Sequence, residues 1–140
     1  MSRRRAREAA MQALFQLEMN NELPSENIEK REAALDAAAA EAASFNDLDF
    51  DYAGALVSGV EEHLAEIDGC LESFSKEWKV SRMAGIDRNI LRIAVFEIKW
   101  GDDDVNEKVA INEAVLLAKK FGTEDSARFI NGVLGAVAKS

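Results

Sequence analysis

At 140 residues, with 48% apolar and 31% charged side chains, the chain has material for one domain with a core and a solvated exterior. Its formal net charge is −9, so nucleic acid is repelled everywhere except at a local basic patch. No apolar run reaches the ~20 residues of a membrane span, the single cysteine, Cys70, excludes an intrachain disulfide, and a metal site built on Cys70 and the sole histidine, His63, would be unusual.

Taken in chain order, every long segment reads as helix. Residues 3 to about 20 place Ala6, Ala10, Ala13, Leu14 and Leu17 on one stripe at helical spacing. "NNELPS" interrupts the pattern, with Ser25 as a candidate N-cap and Pro24 just outside it. The segment from 25 to about 44, with "AALDAAAAEAA", has high helix propensity and suits close helix approach better than a bulky core. "NDLDFD" marks a boundary, after which one long helix is expected over residues 50 to 74, with Leu56, Val60, Leu64, Ile67 and Leu71 along a face. Residues 20 to 69 hold thirteen acids against only Lys30 and Arg31.

The second half is different in character. Six bases stand between residues 76 and 99, and Ile86, Ile90, Ile93, Ala94 and Ile98 form the stripe of a central buried helix. "GDDDVNE" reads as an exposed loop, followed by a helix from about residue 109. Gly122 fits a left-handed helix stop, and Thr123 can cap a last helix with Glu124 and Asp125 in its first turn. The expected fold is all-α, about seven helices in two small packed bundles. A single domain is expected, with an N-terminal subdomain over about 1–75 and a C-terminal one over about 76–140.

Catalytic signatures are missing. The sequence has no nucleophile motif, Gly-rich phosphate loop, HExxH or CxxC, so neither an enzyme nor a cofactor is expected. What stands out is "SRRRAR", four arginines in six positions at the start of an acidic chain. Cations at a helix N-terminus oppose the macrodipole, at about 0.3–1 kcal/mol each in low salt. Arg3, Arg4, Arg5 and Arg7 are therefore poorly placed for stability and well placed for an anion, toward which the free N–H groups of the same helix end also point. The plain alternative is a frayed, solvated helix start.

The kind of anion can be narrowed. A membrane-surface helix needs bulky apolar residues opposite its basic face, and Ala6, Ala9, Ala10 and Ala13 are too small. A DNA-reading helix is polar and basic, whereas "EDSARFINGVLGAVAK" is mainly apolar. Single-stranded RNA remains, since arginine planes stack on splayed bases as well as bind phosphate. The acidic remainder suits docking of a basic protein. Glu8, Gln12, Gln16 and Glu18 interrupt what would be the apolar core of a targeting signal, so a cytoplasmic chain starting near Met1 is expected.

Three stretches, "RRRAREAAMQALFQ", "ILRIAVFEI" and "VAINEAVLLAKKFGTEDSARFINGVL", resemble the NusB family of bacterial transcription antitermination factors, over essentially the whole chain. The resemblance implies two helical bundles, and binding of the boxA element of ribosomal RNA transcripts jointly with NusE, a small-subunit ribosomal protein. It further implies entry into an RNA polymerase antitermination complex with other Nus factors, and no membrane partner. Arg3, Arg4, Arg5 and Arg7 match the RNA contact, with Phe129, Arg88 and Ser126 as further RNA candidates. Phe15, Asp87 and Asp125 match positions tied to the protein partner. Phe15 stands where relatives often have tyrosine, and Asn106 where many have proline. Asn112 with Glu113, and Asn131, are family markers read as buried structural residues. A purely protein-binding helical adaptor is the alternative.

Overall fold

Small side chains determine how the first helices meet. In the computed structural model, which describes residues 3–23, 28–40, 46–74, 79–102 and 105–139, helix α1 (Arg4–Met19) buries Ala6, Ala9, Ala10 and Ala13 together with Met11, Leu14 and Leu17. Against this face pack α2 (Ile28–Ala40), through Ala34, Leu35 and Ala38, and α3 (Asp47–Glu62), through Ala53, Leu56, Val57 and Val60. Asn46 and Asp49 close the start of α3 reciprocally: the Asp49 N–H donates to Asn46 Oδ1 at 2.9 Å and the Asn46 N–H to Asp49 Oδ2 at 3.2 Å. Arg31 fastens α2 to α3, donating to Ser58 Oγ at 2.7 Å and to the buried Glu61 carboxylate at 2.8 Å. These helices form one compact unit, Met1–Glu62. The Ser25 cap lies outside the described residues.

The second unit, His63–Ser140, is built around α5 (Gly85–Trp100). Its Ile90, Leu91, Ile93, Ala94 and Val95 are buried among α4 (Leu64–Ser73), α6 (Glu107–Phe121) and α7 (Glu124–Lys139). A buried polar chain fixes α4 on α5. Arg92 grips Asp68 with two bonds of 2.9 Å and donates to Asn89 Oδ1 at 3.1 Å, while Asn89 Nδ2 donates to the Gly85 carbonyl at 2.9 Å. Both charges are thus paired in a site where an unpaired one would be costly. Among the described residues there are seven α-helices, one 3₁₀ turn over Val80–Arg82 and no strand, as the all-α reading expects. None of the described helices is long and apolar enough to cross a membrane.

Three local expectations change. The single helix over 50 to 74 is broken at His63, whose backbone (φ −111°, ψ 18°) leaves the helical region between α3 and α4. The His63 ring stacks on Trp100 at 4.1 Å between centroids. The expected apolar face is therefore divided: Leu56 and Val60 serve the first core, and Ile67 and Leu71 serve the second. The units accordingly part between Glu62 and His63 rather than near residue 75, and α4 packs with α5 and α7. Asn106 proves to be a helix cap, its Oδ1 accepting the Val109 N–H at 2.9 Å, so α6 begins two residues earlier than the apolar pattern suggests.

Gly122 does end α6, but not in the left-handed conformation, since its φ is −99°. Its need for glycine is steric. A Cβ there would stand 2.5 Å from Ser126 Oγ, 2.7 Å from Ser126 Cβ and 2.9 Å from the Ala118 carbonyl oxygen. By contrast, a Cβ on Gly132 in mid-α7 meets nothing within 4 Å. Gly122→Ala is therefore expected to destabilise the chain by about 1–3 kcal/mol. Gly132→Ala is expected to stabilise it by about 0.5–1 kcal/mol through helix propensity. Urea denaturation of the two variants checks both signs.

Candidate nucleic-acid interface

Helix α1 starts without the usual devices of a helix N-terminus. Arg3 occupies the N-cap without a capping hydrogen bond from its side chain, and no acid stands in the first turn. Helical spacing then divides the four arginines. Arg4 and Arg5 are exposed, and Arg3 is half-exposed. Arg7 lies one turn after Arg3 and in line with Met11 and Leu14, which puts it against the core side, only 3% exposed. As a direct RNA contact, Arg7 is thus corrected to a buried support, and the outward cationic set is Arg3, Arg4 and Arg5.

Across from them, on α3, stands Tyr52. The Arg3 guanidinium carbon lies over its ring, 4.2 Å from the centroid, and that of Arg7 is 5.8 Å away. Both distances are within cation–π range. Tyr52 was not among the residues singled out from the sequence. The available signal was slight: it is the only tyrosine in the chain, one turn before the core residue Leu56. Phe15, the partner candidate in this unit, is half-buried two turns further along α1.

The remaining candidates belong to the second unit. Arg88 is half-buried and turned inward, donating from Nη1 to the carbonyls of Val80 at 3.0 Å and Met83 at 2.8 Å. It ties the start of α5 to the preceding 3₁₀ turn. Ser126 is 3% exposed, and its hydroxyl accepts the Thr123 N–H at 2.9 Å, the return half of a helix cap. Phe129 is half-buried on α7, one turn beyond the exposed Asp125, which stands in the first turn where the dipole favours an acid. Asp87 is half-buried, and its Oδ1 is enclosed with no hydrogen-bond partner. Such an oxygen is rare in a settled interior. Asn112 and Asn131, expected to be buried, are both exposed, and Glu113 is half-buried. Among the described residues, no group of histidine, cysteine and acidic side chains could hold a metal.

The first unit thus presents exposed cations at a helix start that no side chain caps. The chain belongs to the NusB family, whose members are transcription antitermination factors and not enzymes; the family model matches residues 4–139. A curated relative, the transcription antitermination protein NusB of Bdellovibrio bacteriovorus, is 44% identical over 140 residues, covering 99% of this chain and 96% of the relative. The solved structure of T. maritima NusB superposes with a TM-score of 0.84 at 32% identity, covering all of this chain and 92% of that one. A crystal structure of the antitermination factors NusB and NusE in complex with double-stranded RNA gives a TM-score of 0.77 at 27% identity, with 98% of this chain and 96% of that one covered.

The division among the arginines has a stability signature. Arg7→Ala removes a buried side chain and is expected to cost about 1–3 kcal/mol. Arg5→Ala, at an exposed position, should stay within about 0.5 kcal/mol of the parent chain. Chemical denaturation followed by circular dichroism measures both.

Proposed function

We propose that this chain binds the boxA element of ribosomal RNA transcripts together with NusE, and with other Nus factors joins the RNA polymerase antitermination complex in the cytoplasm. The observation that carries this reading is the cationic start of α1, set against the dipole in a chain of formal charge −9. Arg3, Arg4 and Arg5 bind the RNA backbone or stack on its bases, and the exposed N–H end of α1 adds donors for phosphate. Phe129 is the candidate for base stacking in the second unit. Arg88 and Ser126 act from behind, holding the starts of α5 and α7.

Acidic residues supply the complementary part. Glu29, Glu32 and Asp36 on α2, with Asp47 and Asp51 on α3, are exposed and discourage RNA from binding outside the basic start. Asp87 and Asp125 are the acids proposed to meet the basic protein partner, along with Phe15. Membership of the family and the relative solved with NusE and RNA support this reading.

Fluorescence anisotropy of a labelled boxA-type single strand, with and without NusE across a salt series, tests it. Three outward arginines each neutralising a phosphate correspond to a slope of log K against log salt of about −2 from these residues. The triple variant Arg3→Ala, Arg4→Ala, Arg5→Ala should lose that much slope and keep its fold. Equal affinity for boxA and a scrambled strand, with NusE and without, would overturn the reading in favour of a purely protein-binding adaptor.

A further inference from the structure

We infer that Tyr52 is a positioning residue for the RNA contact: its ring holds the Arg3 side chain, with Arg7 as a buried support, so that the cationic start of α1 is ordered before RNA arrives. The inference rests on the RNA reading and adds to it a residue on a different helix. Three observations carry it. The Arg3 guanidinium lies 4.2 Å from the ring centroid while Arg3 itself stays half-exposed, so the ring orders the side chain without removing it from solvent. Arg7 is 5.8 Å from the same ring and almost fully buried, which places a buried cation beside the half-exposed one. Tyr52 stands on α3, so the contact ties the start of α1 to a second helix.

Long arginine side chains lose rotamer freedom when they bind, at roughly 0.5–1.5 kcal/mol for each immobilised side chain. A ring that orders Arg3 in the free protein removes part of that loss beforehand. The proposed hold acts through the π face of the ring. Phenylalanine should therefore substitute for tyrosine, and leucine should not.

The experiment measures RNA affinity and urea stability for the full chain carrying Y52F, Y52L, R3A, R3A with Y52L, and the triple arginine replacement, using a labelled boxA-type single strand with NusE present. The expected result is a loss of about three- to tenfold in affinity for Y52L and a change below about twofold for Y52F. In the R3A background, Y52L should cost little more, because the two residues act through one contact. A merely structural tyrosine would instead give losses that add. If the triple variant binds RNA as well as the parent, the RNA reading fails and this inference with it. If the triple variant loses binding while Y52L binds like the parent, or Y52L and R3A add, only the role of Tyr52 is overturned. Should Y52L fail to fold, the parent chain still decides the matter by NMR: the ring resonances of its only tyrosine should shift on RNA addition, and their constancy in the bound state would refute the inference.

Discussion

The alanine seam of α1 is the constraint from which the first unit follows. Ala6, Ala10 and Ala13 are completely buried, and side chains of that size let two neighbouring helices lie directly against the α1 backbone. The seam carries little apolar area, so it stabilises less by transfer from water than a leucine face would. Its value is geometric, since it brings α3 near enough for Tyr52 to reach Arg3 and Arg7. A cation at the start of a helix costs about 0.3–1 kcal/mol. A cation–π contact returns about 0.5–1 kcal/mol at an exposed site. For Arg3, which lies closest over the ring, the two are similar in size.

The second unit solves a different problem. Its core is conventionally apolar along α5, and its polar residues are spent on holding helix starts. Arg92 binds α4 to α5 and is braced by Asn89, which bonds the first residue of α5, Arg88 restrains the turn before α5, Asn106 caps α6, and Ser126 closes α7. Against that background Asp87 is an exception, because its enclosed Oδ1 serves no helix and meets no donor. Residues that resemble binding candidates by type therefore divide by use. Arg88 Nη1 and the Ser126 hydroxyl are committed internally, whereas the enclosed Oδ1 of Asp87 has no hydrogen-bond partner.

Periodicity carried most of the fold. The stripes of α1 and α5 and the Gly122–Thr123 junction can be read directly, because each is a local pattern of size and spacing. What escaped was decided by contacts distant in sequence. His63 breaks a helix without glycine or proline, and its ring rests on Trp100, 37 positions further on. Gly122 reads as a left-handed stop, yet its requirement comes from the approach of Ser126, four residues later. Asn112 and Asn131 looked like buried hydrogen-bonding residues and lie outside. At the site, the arginine block was obvious from composition, but its partition was not. Arg7 shares the line of Met11 and Leu14, a spacing that would have moved it to the core had its charge not suggested the surface. Tyr52 belongs to another helix, and no local pattern joins it to Arg3.

The central claim is that the outward arginines of α1 are where RNA is met. NMR titration of the isotopically labelled chain with boxA-type single-stranded RNA, in the presence of NusE, tests it most directly. The account predicts the largest changes at the backbone amides and side-chain Nε–H groups of Arg3, Arg4 and Arg5, with the amides of Glu29, Glu32 and Asp36 on α2 unmoved. Bound RNA that leaves the three arginines unchanged and shifts α2 would contradict it.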